Sequence, residues 1–415
     1  MELSHIIADN IVRLLEEHNQ TQAELSAYLD ISRQTLSNYL KGNSTIDSVR
    51  LVKTANFFNV PVTSLLKTEA LQKPPMLLRS TAQDLNAIEN IEVIVFDYLK
   101  RYSRLCSQAG CVSRFTPEQY DLFIEHAGNR ISVNYELRKY SSAKFKVDEQ
   151  LRTELYGIAD SQRKLLGLNE SGAIELIRVL TLRGISVIFL DLGPSDIFGL
   201  SVCDSTYGCC IFVNSNASIT IERQLFTVAH EYAHLILHRP LFSREESAPL
   251  SPQYVELLDK MADTFAGRLL CPPDVIFPYA SYYSAADVTL KSIVPVTVYL
   301  KQKLHVSFQS MLMALRNYGL LSKSIVNEYY CLANKNNSVK QEPCPLKDDQ
   351  NLLEQFVKVK NEHLIEIFHK LFLCEPVSIS DIKYFLSCDL EAATAIYKKI
   401  ESETNHFEVF FDIAF

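Results

Sequence analysis

Two imidazoles and a carboxylate fall within one helical turn in the stretch His230-Glu231-Tyr232-Ala233-His234. On an α-helix, residues i and i+4 lie about 40° apart on one face, so both imidazoles can meet a single ion. Glu231 is badly placed to share that coordination but can reach a water on the ion. Zinc lowers the pKa of such a water towards about 7, and Glu231 would take its proton as general base. The chemistry so specified is hydrolysis at a carbonyl.

The flanking sequence supplies the helix. Leu225 to Leu237 is strongly apolar, and Thr220 and Pro240 bound it. Burying His230, Glu231 and His234 there without an ion would leave a costly polar cluster. Zinc needs a third protein donor and an open position. A second helix, expected from Val255 to Leu270, is stopped by Pro272-Pro273. Its apolar stripe is Leu258, Met261, Ala262, Phe265 and Leu269, and its other face carries Glu256, Asp259 and Asp263. Asp259 and Asp263 are one turn apart, which suits one as ligand and the other as partner to a histidine. His238 is the rival ligand, but on an unbroken helix it rises about 12 Å from His230. It is assigned to the helix C-terminus, where a basic group meets partial negative charge.

Around these helices, Ile185 to Phe189, Gly199 to Cys203 and Cys209 to Val213 predict three short strands, with Gly208 at a turn. Three strands beside two long helices make an α+β core. From residue 81 to Leu182 the pattern is mostly helical. Beyond Asp287, Leu300, Leu304, Leu312 and Leu315 mark an amphipathic pair. Packing of that pair on the α+β core is favoured over a second helix-turn-helix with Lys301, Lys303 and Arg316 exposed. Thr68 to Ser80, with Pro74-Pro75, reads as a linker, and Ala333 to Gln350 as another. The last stretch, Asn351 to Phe415, predicts two helices and a terminal strand at Phe407 to Phe411, with no motif. The expected fold class is multidomain and mainly α with an α+β core. Its expected parts are 1–67, a linker at 68–80, 81–280 leading into the metal site, a distal helical part at 281–332, and 351–415.

The first part predicts five short helices. Thr21 and Glu24 have the spacing of a capping box, Ser32 can cap the next helix, and Gly42-Asn43 can stop it. The tight junction from Tyr28 to Ser32 describes a helix-turn-helix. The helix after Ser32 would enter the major groove, with Arg33, Gln34, Thr35 and Asn38 at base edges and Gln22, Ser37 and Lys41 at phosphates. A helical adaptor that binds protein is the plainer alternative. Met1 to Lys67 carries six basic and seven acidic residues, a net of −1. Non-specific affinity is then weak, so binding calls for a homodimer on a specific double-stranded operator.

Composition frames both parts. A chain of 415 residues with 47% hydrophobic and 22% charged residues is globular. The net charge of −8 argues against wrapping nucleic acid over the whole surface. No apolar run reaches the roughly 20 residues of a membrane span, and Met1 to Gln20 has no secretory core. A cytoplasmic protein with no membrane partner is expected. The ten cysteines show no CxxC pair and no zinc-finger spacing, and read mostly as buried small apolar side chains.

The run from Glu222 to His238, Glu-Arg-Gln-Leu-Phe-Thr-Val-Ala-His-Glu-Tyr-Ala-His-Leu-Ile-Leu-His, closely resembles the ImmA/IrrE family of metallo-endopeptidases. Ala262 to Pro272 resembles that family's downstream helix, and the likeness extends over about Leu165 to Leu321. The resemblance implies a minimal zincin fold, zinc at His230 and His234, and Glu231 as the catalytic acid/base. The family usually places a glutamate four residues before the Asn/Asp of the second motif; this chain has Asp259 there, one methylene shorter. Asp259 is thereby the implied third ligand, with Asp263 and His238 behind the histidines. Separately, Thr21 to Gly42 resembles the XRE-type (Cro/C1-like) helix-turn-helix, over Ser4 to Leu66. Together the two imply a DNA-binding regulator whose zinc endopeptidase domain cuts a protein partner such as a repressor or antitoxin. The alternative is a ligand-responsive transcription factor whose zincin-like domain is a non-proteolytic sensor. Glu231 favours the enzyme, because a sensor has no need of a base beside the metal.

Overall fold

The computed structural model describes residues 3–414 except 18–19, 42–43, 59, 67–73, 75, 81–84, 111–146, 194–195, 205–206, 239–251, 284–287, 336–341 and 373–376. The Gly42-Asn43 stop and most of the first linker therefore lie outside the described residues. Two compact units divide at Lys73/Pro74.

The first unit is five helices: α1 (Leu3–Glu17), α2 (Gln22–Tyr28), α3 (Arg33–Leu40), α4 (Ser48–Phe57) and α5 (Thr63–Leu66). The capping box forms as its spacing requires. Thr21 N–H donates to Glu24 Oε2 at 2.7 Å, and Glu24 N–H donates to Thr21 Oγ1 at 3.2 Å. Ser32 caps α3 by accepting from Thr35 N–H, and Asp47 caps α4 by accepting from Val49 and Arg50 N–H. Between α2 and α3 the chain turns through Asp30 at φ 53°, a left-handed position that a short polar residue tolerates. Ile11, Leu25, Leu36, Ala55, Phe58 and Leu65 close the core.

The second unit is built on one sheet. Its strands are β1 (Met76–Ser80), β2 (Ser186–Leu190), β3 (Ile197–Asp204) and β4 (Gly208–Asn214), in the order β1-β3-β4-β2. β2 and β4 run parallel; the other pairs are antiparallel. The three strands read from the sequence all form, and β1 joins them from the end of the stretch read as a linker. That run is only five residues long with no β-branched residue, so its pairing is conferred by the open edge of β3 rather than by local preference.

Helices cover both faces of the sheet, which is why β4 is buried at every position. One face carries α7 (Glu149–Leu165), α8 (Ala173–Leu182), α9 (Ile221–Leu237) and α10 (Pro252–Leu270). After the short α11 (Pro273–Ile276), the same core takes in α12 (Leu290–Leu304), α13 (Phe308–Asn317) and α14 (Lys323–Lys335). The other face carries α6 (Leu85–Gln108), α15 (Gln350–Phe372), α16 (Ile379–Leu386) and α17 (Leu390–Ala414). Tyr98, Phe212, Phe368 and Phe385 pack in that second core. The C-terminal stretch is thus part of the same compact unit as the α+β core. Its expected strand at Phe407 to Phe411 lies within α17; a short apolar run does not separate strand from helix by pattern.

One further expectation changes. Cys203 and Cys209 are joined by a disulfide where β3 and β4 place them directly opposite one another, while Cys106, Cys210 and Cys271 are buried outside any disulfide. The favoured packing of the distal helices on the α+β core forms, and Lys301 is fully buried within it. Its ammonium contacts Glu222 Oε1 at 3.2 Å, Glu342 Oε1 at 2.9 Å and the carbonyls of Pro343 and Cys344. Leu346 N–H also donates to Glu222 Oε1, at 2.7 Å. The segment read as a second linker is therefore strapped at its far end to the first turn of α9. Lys301→Ala leaves Glu222, 1% exposed, without its cation. A loss of about 3–5 kcal/mol is expected, read as a lowered midpoint in urea unfolding.

Candidate metal centre

Thr220 starts α9 by accepting from Arg223 N–H, and the helix then runs unbroken through the motif to its C-cap at His238. Every residue from Thr227 to Leu237 is buried. Helix α10 crosses beside it, with Phe265 against Tyr232. Tyr232 O–H donates to Gln162 Oε1 of α7 at 2.7 Å, which fixes the back of the motif helix.

On the front, His230 Nε2 and His234 Nε2 approach to 3.0 Å. Asp259 Oδ1 stands 3.8 Å from the first and 3.5 Å from the second. Among the described residues, His230, His234 and Asp259 form the one group able to hold a metal, with ligand atoms within 4.8 Å of one another. Donors at tetrahedral positions around zinc, each ~2.0–2.1 Å from it, are about 3.3 Å apart. The donor set matches that spacing.

The other ring nitrogens are engaged in a way that leaves the Nε2 atoms available. His230 Nδ1 is 2.8 Å from Asp263 Oδ1, so its N–H can donate to the carboxylate. His234 Nδ1 is 2.8 Å from His238 Nδ1. Burial, together with the charges His234 and His230 would carry, holds His238 well below the ordinary histidine range. Neutral His238 can then accept at Nδ1 from His234 N–H and keep its own proton on Nε2.

Glu231 is fully buried, and its Oε2 accepts from Ser201 Oγ–H of β3 at 2.9 Å. This contact requires the helix to lie close on the strand, and Gly199 allows it. A Cβ at that position would stand 2.5 Å from Thr227 Cγ2 and 2.6 Å from the Phe212 carbonyl oxygen. Two histidines, a carboxylate and a separately held glutamate constitute a candidate metal centre with an acid/base group.

Residues 181–316 match the model of the IrrE N-terminal-like domain (Peptidase_M78), and residues 11–65 match that of a helix-turn-helix (HTH_3). The chain fuses an XRE-type helix-turn-helix to an ImmA/IrrE-like domain. No curated relative matches it. In the IrrE-like domain the structure brings together His230, Glu231, His234, Asp259, Asp263 and His238. Glu256 turns instead to Lys260 at 2.6 Å. Ser201 and Gly199 were not among the candidates. Their signal is a glycine and a hydroxyl two apart on a strand facing the motif helix, which is visible only once strand and helix are known to touch.

In the helix-turn-helix domain, Gln22, Arg33, Gln34 and Lys41 are exposed, and Thr35, Ser37 and Asn38 are half-buried. Gln34 Nε2 lies 3.5 Å from Asn38 Oδ1, one turn on, so these two share a face of α3. Thr35 is partly engaged, with its hydroxyl 2.8 Å from that of Ser32. Among the described residues no helix is long and apolar enough to cross a membrane.

Proposed function

We propose that this protein is a cytoplasmic, DNA-binding regulator whose IrrE-like domain is a zinc endopeptidase acting on a protein partner. The observation that carries the reading is the convergence of His230, His234 and Asp259 beside a buried glutamate outside that donor group. Bound there, zinc would act as a Lewis acid on the scissile carbonyl and on the attacking water. Glu231 takes a proton from that water as its oxygen bonds to the carbonyl carbon. It returns the proton to the departing amine as the C–N bond breaks. Ser201 holds the carboxylate in line for both transfers. Asp263 and His238 keep the two imidazoles in the ligating tautomer.

Asp259 as third ligand is supported by its position on α10, within 3.8 Å of both histidines despite the shorter side chain. The chemistry is hydrolysis at a carbonyl, the likeness to a peptidase domain makes the substrate a peptide bond, and a repressor or antitoxin encoded beside this chain is the candidate we favour. Purified protein is mixed with such candidates, and the products are read by mass spectrometry. Zinc bound without any cleavage would favour a metal-dependent sensor instead.

The helix-turn-helix domain directs the activity to an operator as a homodimer. Arg33→Ala with Asn38→Ala, both on α3, is expected to abolish a specific gel shift while leaving zinc content unchanged. A shift that survives the double substitution would assign DNA contact to another surface.

A further inference from the structure

Strand β3 is where the sheet meets the motif helix, through Gly199 under Thr227 and Ser201 on Glu231. Within the matched residues 181–316 the sheet has only β2, β4 and β3. On its own, that part leaves the outer edge of β3 with a row of unpaired N–H and C=O groups. The strand that fills the row comes from outside the matched part. β1 pairs antiparallel with β3, with Leu77 opposite Ser201 and Arg79 opposite Gly199. It is also the first element of the second unit, close behind the boundary at Lys73 where the helix-turn-helix unit ends.

We propose that Met76–Ser80 is a built-in occupant of the edge where the IrrE-like domain takes its substrate, and that a protein substrate binds as an extended strand on β3 by displacing it. The proposal rests on the peptidase reading above and names the form of substrate it requires. A strand added to β3 runs ~4.8 Å from it, beside the residues that touch Glu231, and gains affinity from main-chain hydrogen bonds. Exchange of one strand for another conserves those bonds, so side chains and tethering decide the outcome. The hold of β1 is limited: it has five residues, and its register shifts between Arg79 and Ser80. The tether gives it an effective concentration on the order of mM, which a free peptide must overcome.

The test uses the full-length, zinc-loaded chain carrying Glu231→Gln, so that bound peptide is not cut. A labelled peptide of the sequence Pro-Pro-Met-Leu-Leu-Arg-Ser-Thr-Ala, residues 74–82, is titrated into it with and without Leu77→Pro plus Leu78→Pro. Adjacent prolines remove the ladder donor whichever residue supplies it. The peptide is expected to bind the double-proline chain at least ~10-fold more tightly, as release of a tethered competitor requires. Equal affinity for both chains, or binding to neither, overturns the proposal. Hydrogen exchange on the chain without prolines gives a second readout that holds even if the proline variant fails to fold. Saturating peptide should speed exchange of amides 76–80; amides that stay protected overturn it. Zinc content and cleavage by the wild-type chain are measured in parallel. Displacement without zinc or cleavage sinks the peptidase reading alone, and zinc with cleavage but no displacement sinks the β1 proposal alone.

Discussion

Glu231→Gln is expected to leave the metal in place and slow peptide hydrolysis by about 10²–10⁴-fold, the range that a positioned general base supplies. The substitution is close to isosteric, and the amide oxygen can still accept from Ser201 Oγ–H, so the packing of α9 on β3 should persist. What disappears is the group that moves the proton. Because Glu231 is held by Ser201 at 2.9 Å and does not belong to the ligand set, the effect should fall on turnover and not on zinc stoichiometry. Single-turnover cleavage of a partner, with metal analysis of the same sample, separates the two. Cleavage at the wild-type rate would move the base elsewhere.

The second large effect is expected from His234→Ala. It removes one of three protein donors and strips His238 of the N–H it accepts 2.8 Å away. Zinc affinity should fall far beyond the roughly 10–100-fold expected for losing a partner behind a ligand. Asp263→Ala supplies that comparison, since it removes the carboxylate 2.8 Å from Nδ1 of His230 and leaves all three donors in place. Purified His234→Ala protein should retain almost no zinc after dialysis, and Asp263→Ala protein a reduced but measurable fraction. Equal retention by the two would mean that His234 does not ligate. Neither change should disturb the helix-turn-helix, whose core of Leu25, Leu36 and Leu65 shares no residue with the site.

The motif helix was readable in the sequence because its chemistry is local: i,i+4 spacing, an apolar frame and a Thr cap act within a few turns. Thr21 with Glu24, and Ser32 as a cap, were readable for the same reason. The Asp259 and Asp263 pair was readable as a face, since one helical turn separates them. Contacts between distant segments left little trace. β1 became a strand by virtue of the β3 edge, a property of another part of the chain. Lys301 carries the same side chain as any exposed lysine, and only the convergence of Glu222, Glu342 and two carbonyls makes its burial tolerable. Cys203 and Cys209 have no motif spacing, yet a hairpin register sets them opposite. The C-terminal stretch showed two helices where three form, and nothing in it marked the sheet face they would cover.

Zinc K-edge X-ray absorption on the purified full-length protein addresses the metal centre most directly. The expected spectrum shows about one zinc per chain with two imidazoles and oxygen donors at ~2.0–2.2 Å, and no sulfur. Sulfur at about 2.3 Å, or a zinc site that survives His234→Ala with its imidazole scattering unchanged, would contradict it.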